Sequence, residues 1–288
     1  MDGTSTGTIP RERPSCKRAI QFVCFAVLAL VTALDLVIVI VFCTPLSTAA
    51  AEYLWRNNDT SAAPLILVLD ERDAQLAFDV GSYAFGLGAY DLPLAEHAFR
   101  RVVAIDPSML WGHYELARIL LVENRLPEAE AAADGELSYH PDNFRTYYVR
   151  GLIRAYRGDL AGAESDFTTF VSWAPTEWAG YNDLAWVLGQ EGKYAEAKTL
   201  LERGVTMATG GEENPWLWNN LGVQELNLNE FAVAANAFER AQTLAAGLTE
   251  ASWVAAYPGN DPAMSAAGIK SFQDAIAVNL ARARVSGL

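Results

Sequence analysis

The chain has 288 residues, 51% of them apolar, with 21 basic and 35 acidic residues and a formal net charge of −14. That balance argues against a nucleic-acid backbone as the natural ligand, because such binding rests on Lys and Arg neutralising phosphates. Its three cysteines, Cys16, Cys24 and Cys43, all lie early, so nothing after residue 43 can build a disulfide scaffold or a cysteine metal site.

Residues 1–18 are polar and carry Arg11, Arg13, Lys17 and Arg18, which reads as a disordered cytoplasmic tail. Residues 19–43 follow with a single charge, Asp35. A spanning helix needs about 20 apolar residues, so this stretch predicts a transmembrane helix. The basic cluster precedes it, which places the N-terminus in the cytoplasm and everything later in the periplasm or another non-cytoplasmic space. A cleavable secretory signal is the rival, with Ala49 and Ala51 offering a small-residue site. Its apolar core would usually run only about 7–15 residues. Both readings export the rest of the chain. Asp35 at mid-bilayer costs about 2.5–3.5 kcal/mol, and such residues usually face a partner. It reads either as a contact to another transmembrane helix or as a protonated or locally hydrated side chain.

Residues 44–73 form a linker and docking segment. A short helix is expected over 47–55, a break at Asn57-Asn58-Asp59, and a short apolar run at 64–69 that docks on the element after it. From 74 to 246 the sequence repeats. Pro107, Pro141 and Pro175 stand 34 residues apart, and Ala95, Ala129, Ala163 and Ala197 keep that step. Within one period, Gly151 admits a neighbouring helix, Gly158-Asp159 makes the turn, Ala163 permits close approach, Phe167 fills the gap, and Pro175 stops the second helix. Such a period marks a solenoid of helical hairpins, each needing its neighbours to bury an apolar face. Residues 247–288 read as a C-terminal cap. Ile269, Phe272, Ile276 and Leu280 share one helical face there, and the segment is long enough to fold back into the solenoid.

Trp218-x-x-Leu221-Gly222 with Phe231, Ala234, Phe238 and Ala241, and Tyr181-x-x-Leu184-Ala185 with Gly192-Lys193-Tyr194 and Ala197, resemble the tetratricopeptide repeat family. The resemblance covers about residues 76–246, as five units beginning near Leu76, Leu110, Phe144, Trp178 and Pro215. It implies an α-solenoid of about five hairpins, and with the transmembrane helix expected over 19–43 and the C-terminal capping helix the expected architecture is all-α. Departures fall at Tyr83 and Gly86 in the first unit, at Thr209 where a proline is expected, at the insertion Glu212-Glu213-Asn214, and at Arg154 and Glu225 where a buried aromatic is usual.

By the same resemblance, first helices line a concave groove. The positions carried over include Trp111, Glu115, Asp183, Val223 and Trp216. Those expected to touch a peptide or a partner's helix are Tyr114, Arg118, Arg145, Tyr148, Tyr156, Asn182, Trp186, Asn219 and Asn220. Asn offers both a donor and an acceptor to an extended peptide backbone, and Trp and Tyr offer rigid faces. A clamp for a terminal carboxylate is not supported, since no lysine occurs between Lys17 and Lys193. His97, His113 and His140 show no ligand spacing, and Gly86-Leu87-Gly88 lacks the Gly-Lys-Ser/Thr of a phosphate loop. No cofactor, metal or catalytic residue is therefore expected. The resemblance implies a non-enzymatic, membrane-anchored scaffold or assembly factor. The alternative is a permanent accessory subunit of a membrane complex docked through Asp35. An enzyme or solute-binding protein would need a pocket that the sequence does not announce.

Overall fold

The computed structural model describes residues 23, 25, 27–32, 45–69, 72–86, 90–257 and 260–287, with the side chains of 45–47 left aside. The expected tail at 1–18, most of the apolar stretch 19–43 and Asp35 itself lie outside them. Among the described residues, no helix is long and apolar enough to cross a membrane. The chain divides into two compact units, residues 1–71 and 72–288.

In the first unit, α1 (Pro45–Arg56) packs against α2 (Ala63–Leu69). The expected break lies between them. Asn58 takes φ +65°, and Asp59 accepts hydrogen bonds from the backbone N–H and hydroxyl of Ser61 to start a short 3-10 turn.

The second unit is five helical hairpins: α3 (Ala74–Gly86) with α4 (Leu92–Ile105), α5 (Gly112–Val122) with α6 (Leu126–Tyr139), α7 (Phe144–Arg157) with α8 (Leu160–Trp173), α9 (Trp178–Gln190) with α10 (Tyr194–Met207), and α11 (Pro215–Asn227) with α12 (Phe231–Ala245). The periodic residues explain them. α4, α6 and α8 end two residues before Pro107, Pro141 and Pro175. Between α7 and α8, Gly158 takes φ +82°, and Asp159 accepts from the Gly162 N–H to start the next helix. A Cβ on Gly151 would lie 2.7 Å from the Phe167 ring, so the fully buried phenylalanine occupies the space a side chain would need. Gly81 against Phe99 and Gly222 against Phe238 repeat the device.

The departures resolve into local structure. Thr209 donates its N–H to the Thr176 carbonyl at 2.9 Å, the inserted residues fold as a 3-10 turn, and Asn214 caps α11 by accepting from Trp216 and Leu217. Arg154 does not take a packing role. It binds Glu130 at 2.9 Å and Asp166 at 2.9 Å, so charge replaces the aromatic contact. Glu225 stays buried beside Lys198.

After the hairpins come α13 (Glu250–Ala256) and α14 (Ser265–Ser286). α14 is the expected cap. It lies along α12 and buries Ile276, Leu280 and Ala283, with Phe272 partly covered. α13 is only seven residues long, and none of its residues is fully buried.

Candidate functional site

The concave face is built from the start of α5 onward. α5 has no side-chain cap of its own, and Trp111 before it sits at φ +74°. The missing acceptor comes from the neighbouring helix. Buried Glu136 on α6 takes the N–H of Trp111 at 2.9 Å and that of Tyr114 at 3.2 Å, and its remaining partner is the Asn143 amide at 3.0 Å. A carboxylate at a helix N-terminus satisfies orphan N–H groups and complements the dipole. This bond set holds Trp111 and Tyr114 edge to face at 5.0 Å. Glu136→Gln turns one acceptor into a donor facing an N–H, and we expect a loss of about 1–3 kcal/mol in urea unfolding. An unchanged midpoint would remove Glu136 from this role.

One turn along α5, the Arg118 guanidinium lies 4.7 Å from the Phe85 ring centre and 5.6 Å from that of Tyr114. It binds Glu115 at 2.7 Å. Burial pushes the Glu115 carboxyl above the usual range, against the pull of Arg118. On α7, Tyr148 packs on Phe170 and Phe167 and donates its hydroxyl to Asp183 at 2.8 Å. Exposed Arg145 stands 3.7 Å from Glu177. Tyr114, Glu115, Arg118, Arg145 and Tyr148 line a cavity of about 1400 Å³. Its other wall is the chain's own residues 254–257 and 260–263.

Beside this cavity runs a polar ladder. The Asn182 amide donates to the Asp183 carboxylate at 3.0 Å and to the Tyr257 hydroxyl at 2.9 Å. Tyr257 in turn donates to Asp183 at 3.3 Å. Asn220 donates to the Asn182 carbonyl at 2.8 Å, and Gln224 donates to Asn220 at 2.9 Å. Burial lifts the Asp183 carboxyl to about 6, with Tyr148, Asn182 and Tyr257 holding it back through their hydrogen bonds. Aromatic rings flank the ladder. Trp178 stacks on Trp216 at 5.2 Å, Trp216 stacks on Phe272 at 5.5 Å, and Tyr257 meets Trp178 edge-on at 5.6 Å.

The expected groove residues therefore separate. Tyr114, Arg118, Arg145 and Tyr148 meet at the cavity. Asn182 and Asn220 are engaged within the chain, so their amides do not stand free for a peptide backbone as the resemblance implied. Asn219 is half-buried with its side-chain oxygen unbonded. Tyr156 and Trp186, 73% and 44% exposed, do not line the cavity. Sequence reasoning missed Phe85, Tyr90 and above all Tyr257, which stands outside the repeat period. His113 fills a packing place against Tyr139 and Gly135. Among the described residues, no group of His, Cys, Asp and Glu could hold a metal ion.

Residues 179–209 match the family model of the tetratricopeptide repeat. No curated protein matches the sequence. Among solved structures, MamA from Desulfovibrio magneticus is 16% identical over 59% of this chain and 94% of its own, with a TM-score of 0.54. A tetratricopeptide repeat protein from Parabacteroides merdae is 17% identical over 90% of this chain and 96% of its own, at 0.53. YrrB, described as a TPR protein with an unusual peptide-binding site, is 14% identical over 64% and 93%, at 0.53. With the five hairpins in hand, these likenesses make residues 72–288 an all-α solenoid of the tetratricopeptide type.

Proposed function

We propose that the chain is a non-enzymatic scaffold whose concave groove holds an extended peptide or a segment of a partner protein. The observation that carries this reading is the 1400 Å³ cavity, where Trp111, Tyr114 and Tyr148 supply rigid faces and Arg118 and Arg145 supply charge-assisted donors. Aromatic and Arg side chains recur as anchors at interfaces, the aromatics because they cover much area at low conformational cost and Arg because its planar fork is pre-organised for hydrogen bonds. The likeness to YrrB adds a peptide to the range of ligands this shape suits.

The apolar stretch 19–43 extends the proposal to a membrane tether, with the groove outside the cytoplasm and the scaffold acting in assembly near the bilayer. A second reading, a permanent accessory subunit, draws on Asp35, a charge within that stretch.

The test is to purify the full-length protein from its membrane with a photo-reactive residue at Trp111, in the groove, or at half-exposed Trp173, on α8 outside the cavity. Position 111 should capture a partner, and Arg118→Glu should abolish the capture. Capture only from position 173 would sink the groove reading. An Asp35→Leu variant that loses a stoichiometric partner would favour the accessory-subunit reading.

A further inference from the structure

The segment from residue 249 to 257 leaves α12 and crosses the concave face. Its helix, α13, buries no side chain. Local bonds give it shape: Thr249 and Ser252 form a capping box, and the Asn260 amide donates to the Trp253 carbonyl at 2.7 Å. Half-buried Trp253 rests on Trp216 at 6.3 Å and on Phe272 at 6.5 Å, and Tyr257 reaches down to the polar ladder. The Tyr257 hydroxyl sits between a donor, the Asn182 amide at 2.9 Å, and an acceptor, the Asp183 carboxylate at 3.3 Å. Its ring stands at 79° to that of Trp178, with centres 5.6 Å apart. The arrangement matches each feature of a tyrosine side chain. A phenylalanine would leave the amide one acceptor short and the carboxylate one donor short.

The seat and the open cavity are continuous, since Trp178 lines both, Tyr148 of the cavity wall donates to Asp183, and Tyr257 in the seat also borders the cavity. An extended chain that placed a tyrosine in the seat would run on past Tyr148 toward Tyr114 and Arg118. Resting on the groove reading above, we propose that Trp178, Asn182 and Asp183 form a seat for a tyrosine side chain of an extended peptide, which Tyr257 fills from within the chain. A partner segment must then displace residues 249–257. That exchange is accessible because no side chain of α13 is fully buried and Trp253 is its one aromatic contact to release, while its tether gives Tyr257 an effective concentration on the order of millimolar. The intact protein should therefore bind a free tyrosine peptide weakly, and a protein lacking Tyr257 should bind it well.

The experiment uses the full-length protein, its Tyr257→Ala and Tyr257→Phe variants, and a fluorescent synthetic peptide of residues 249–257. The unmodified protein should show no binding at micromolar peptide. Tyr257→Ala should bind, at least tenfold tighter than it binds the same peptide carrying Tyr257→Phe. Hydrogen exchange of amides 250–257 should quicken at least tenfold in Tyr257→Ala and by less in Tyr257→Phe, which keeps the ring on Trp178. Equal binding of the two peptides, no binding to either variant, or unchanged exchange would each overturn the seat. Cross-linking from position 111 would persist in those cases if the groove reading holds, so the two proposals fail separately.

Discussion

Asp166→Ala is expected to destabilise the solenoid by about 3–5 kcal/mol, the cost of leaving buried charges without their partner. Asp166 is 3% exposed on α8 and accepts from Arg150 at 3.0 and 2.8 Å and from Arg154 at 2.9 Å. Both arginines lie on α7, and both reach back to α6: Arg150 to Asp134 at 2.7 Å and Arg154 to Glu130 at 2.9 Å. Arg157 also pairs with Glu130. One carboxylate thus joins the second hairpin to the third through two shared cations. Asp134 is the comparison, because at 54% exposure its pairing is screened and its removal should cost under about 1 kcal/mol. Urea unfolding of the two variants gives the answer. Equal losses would mean that the network adds nothing beyond surface pairing.

The second large effect is stabilising. Glu225 is buried at the junction of α11 with the preceding hairpin, and one of its carboxylate oxygens has no partner. Burial lifts its pKa from 4.5 to about 7, and Glu230 and Glu202 add to the rise while Lys198 opposes it. Lys198 lies 4.0 Å away and is itself paired with Glu230. The folded state therefore holds a proton that the unfolded state releases between pH 4.5 and 7. Stability from this group is fully present below 4.5 and is lost as pH rises through 7. At about 1.4 kcal/mol per unit, the loss is on the order of 3 kcal/mol. Asp183, lifted to about 6, adds a loss of the same sign at lower pH. Glu225→Gln should leave the Asp183 part in place and remove the rest, making the variant more stable than the parent at pH 8 and close to it at pH 4.5. Stability curves for the two proteins that run parallel over this range would contradict the assignment.

Arg154 and Glu225 also show where reading from residues stopped. The solenoid was legible because its determinants are local and periodic. A glycine opposite a phenylalanine, a glycine in a left-handed turn and a proline past a helix end each act within one hairpin. The expected starts at Phe144, Trp178 and Pro215 are the observed ones, and Leu76 and Leu110 fall within two residues of α3 and α5. Arg154 and Glu225 were visible as breaks in the pattern. What replaced the aromatic depends on charges one hairpin away, at Glu130 and Lys198, which no single period contains.

For the site, register identified the face but not its occupant. Tyr114 and Arg118 on α5 meet Arg145 and Tyr148 on α7 because successive first helices turn the same side inward. Asn182 and Asn220 were assigned to that side too, yet each is engaged by a neighbour. Tyr257 lies 75 residues beyond Asn182 and belongs to no repeat, so only the three-dimensional path of the chain brings them together.

The return of α14 along α12 has a consequence for growth of the array. A stack of identical units leaves an apolar face at each end, able to accept another unit from the same chain or from a second copy. Here Ile276, Leu280 and Ala283 cover the last such face with a helix whose outer side carries Lys270, Asp274 and Arg282. The array is thereby terminated on that side, and head-to-tail polymerisation through α12 is closed off.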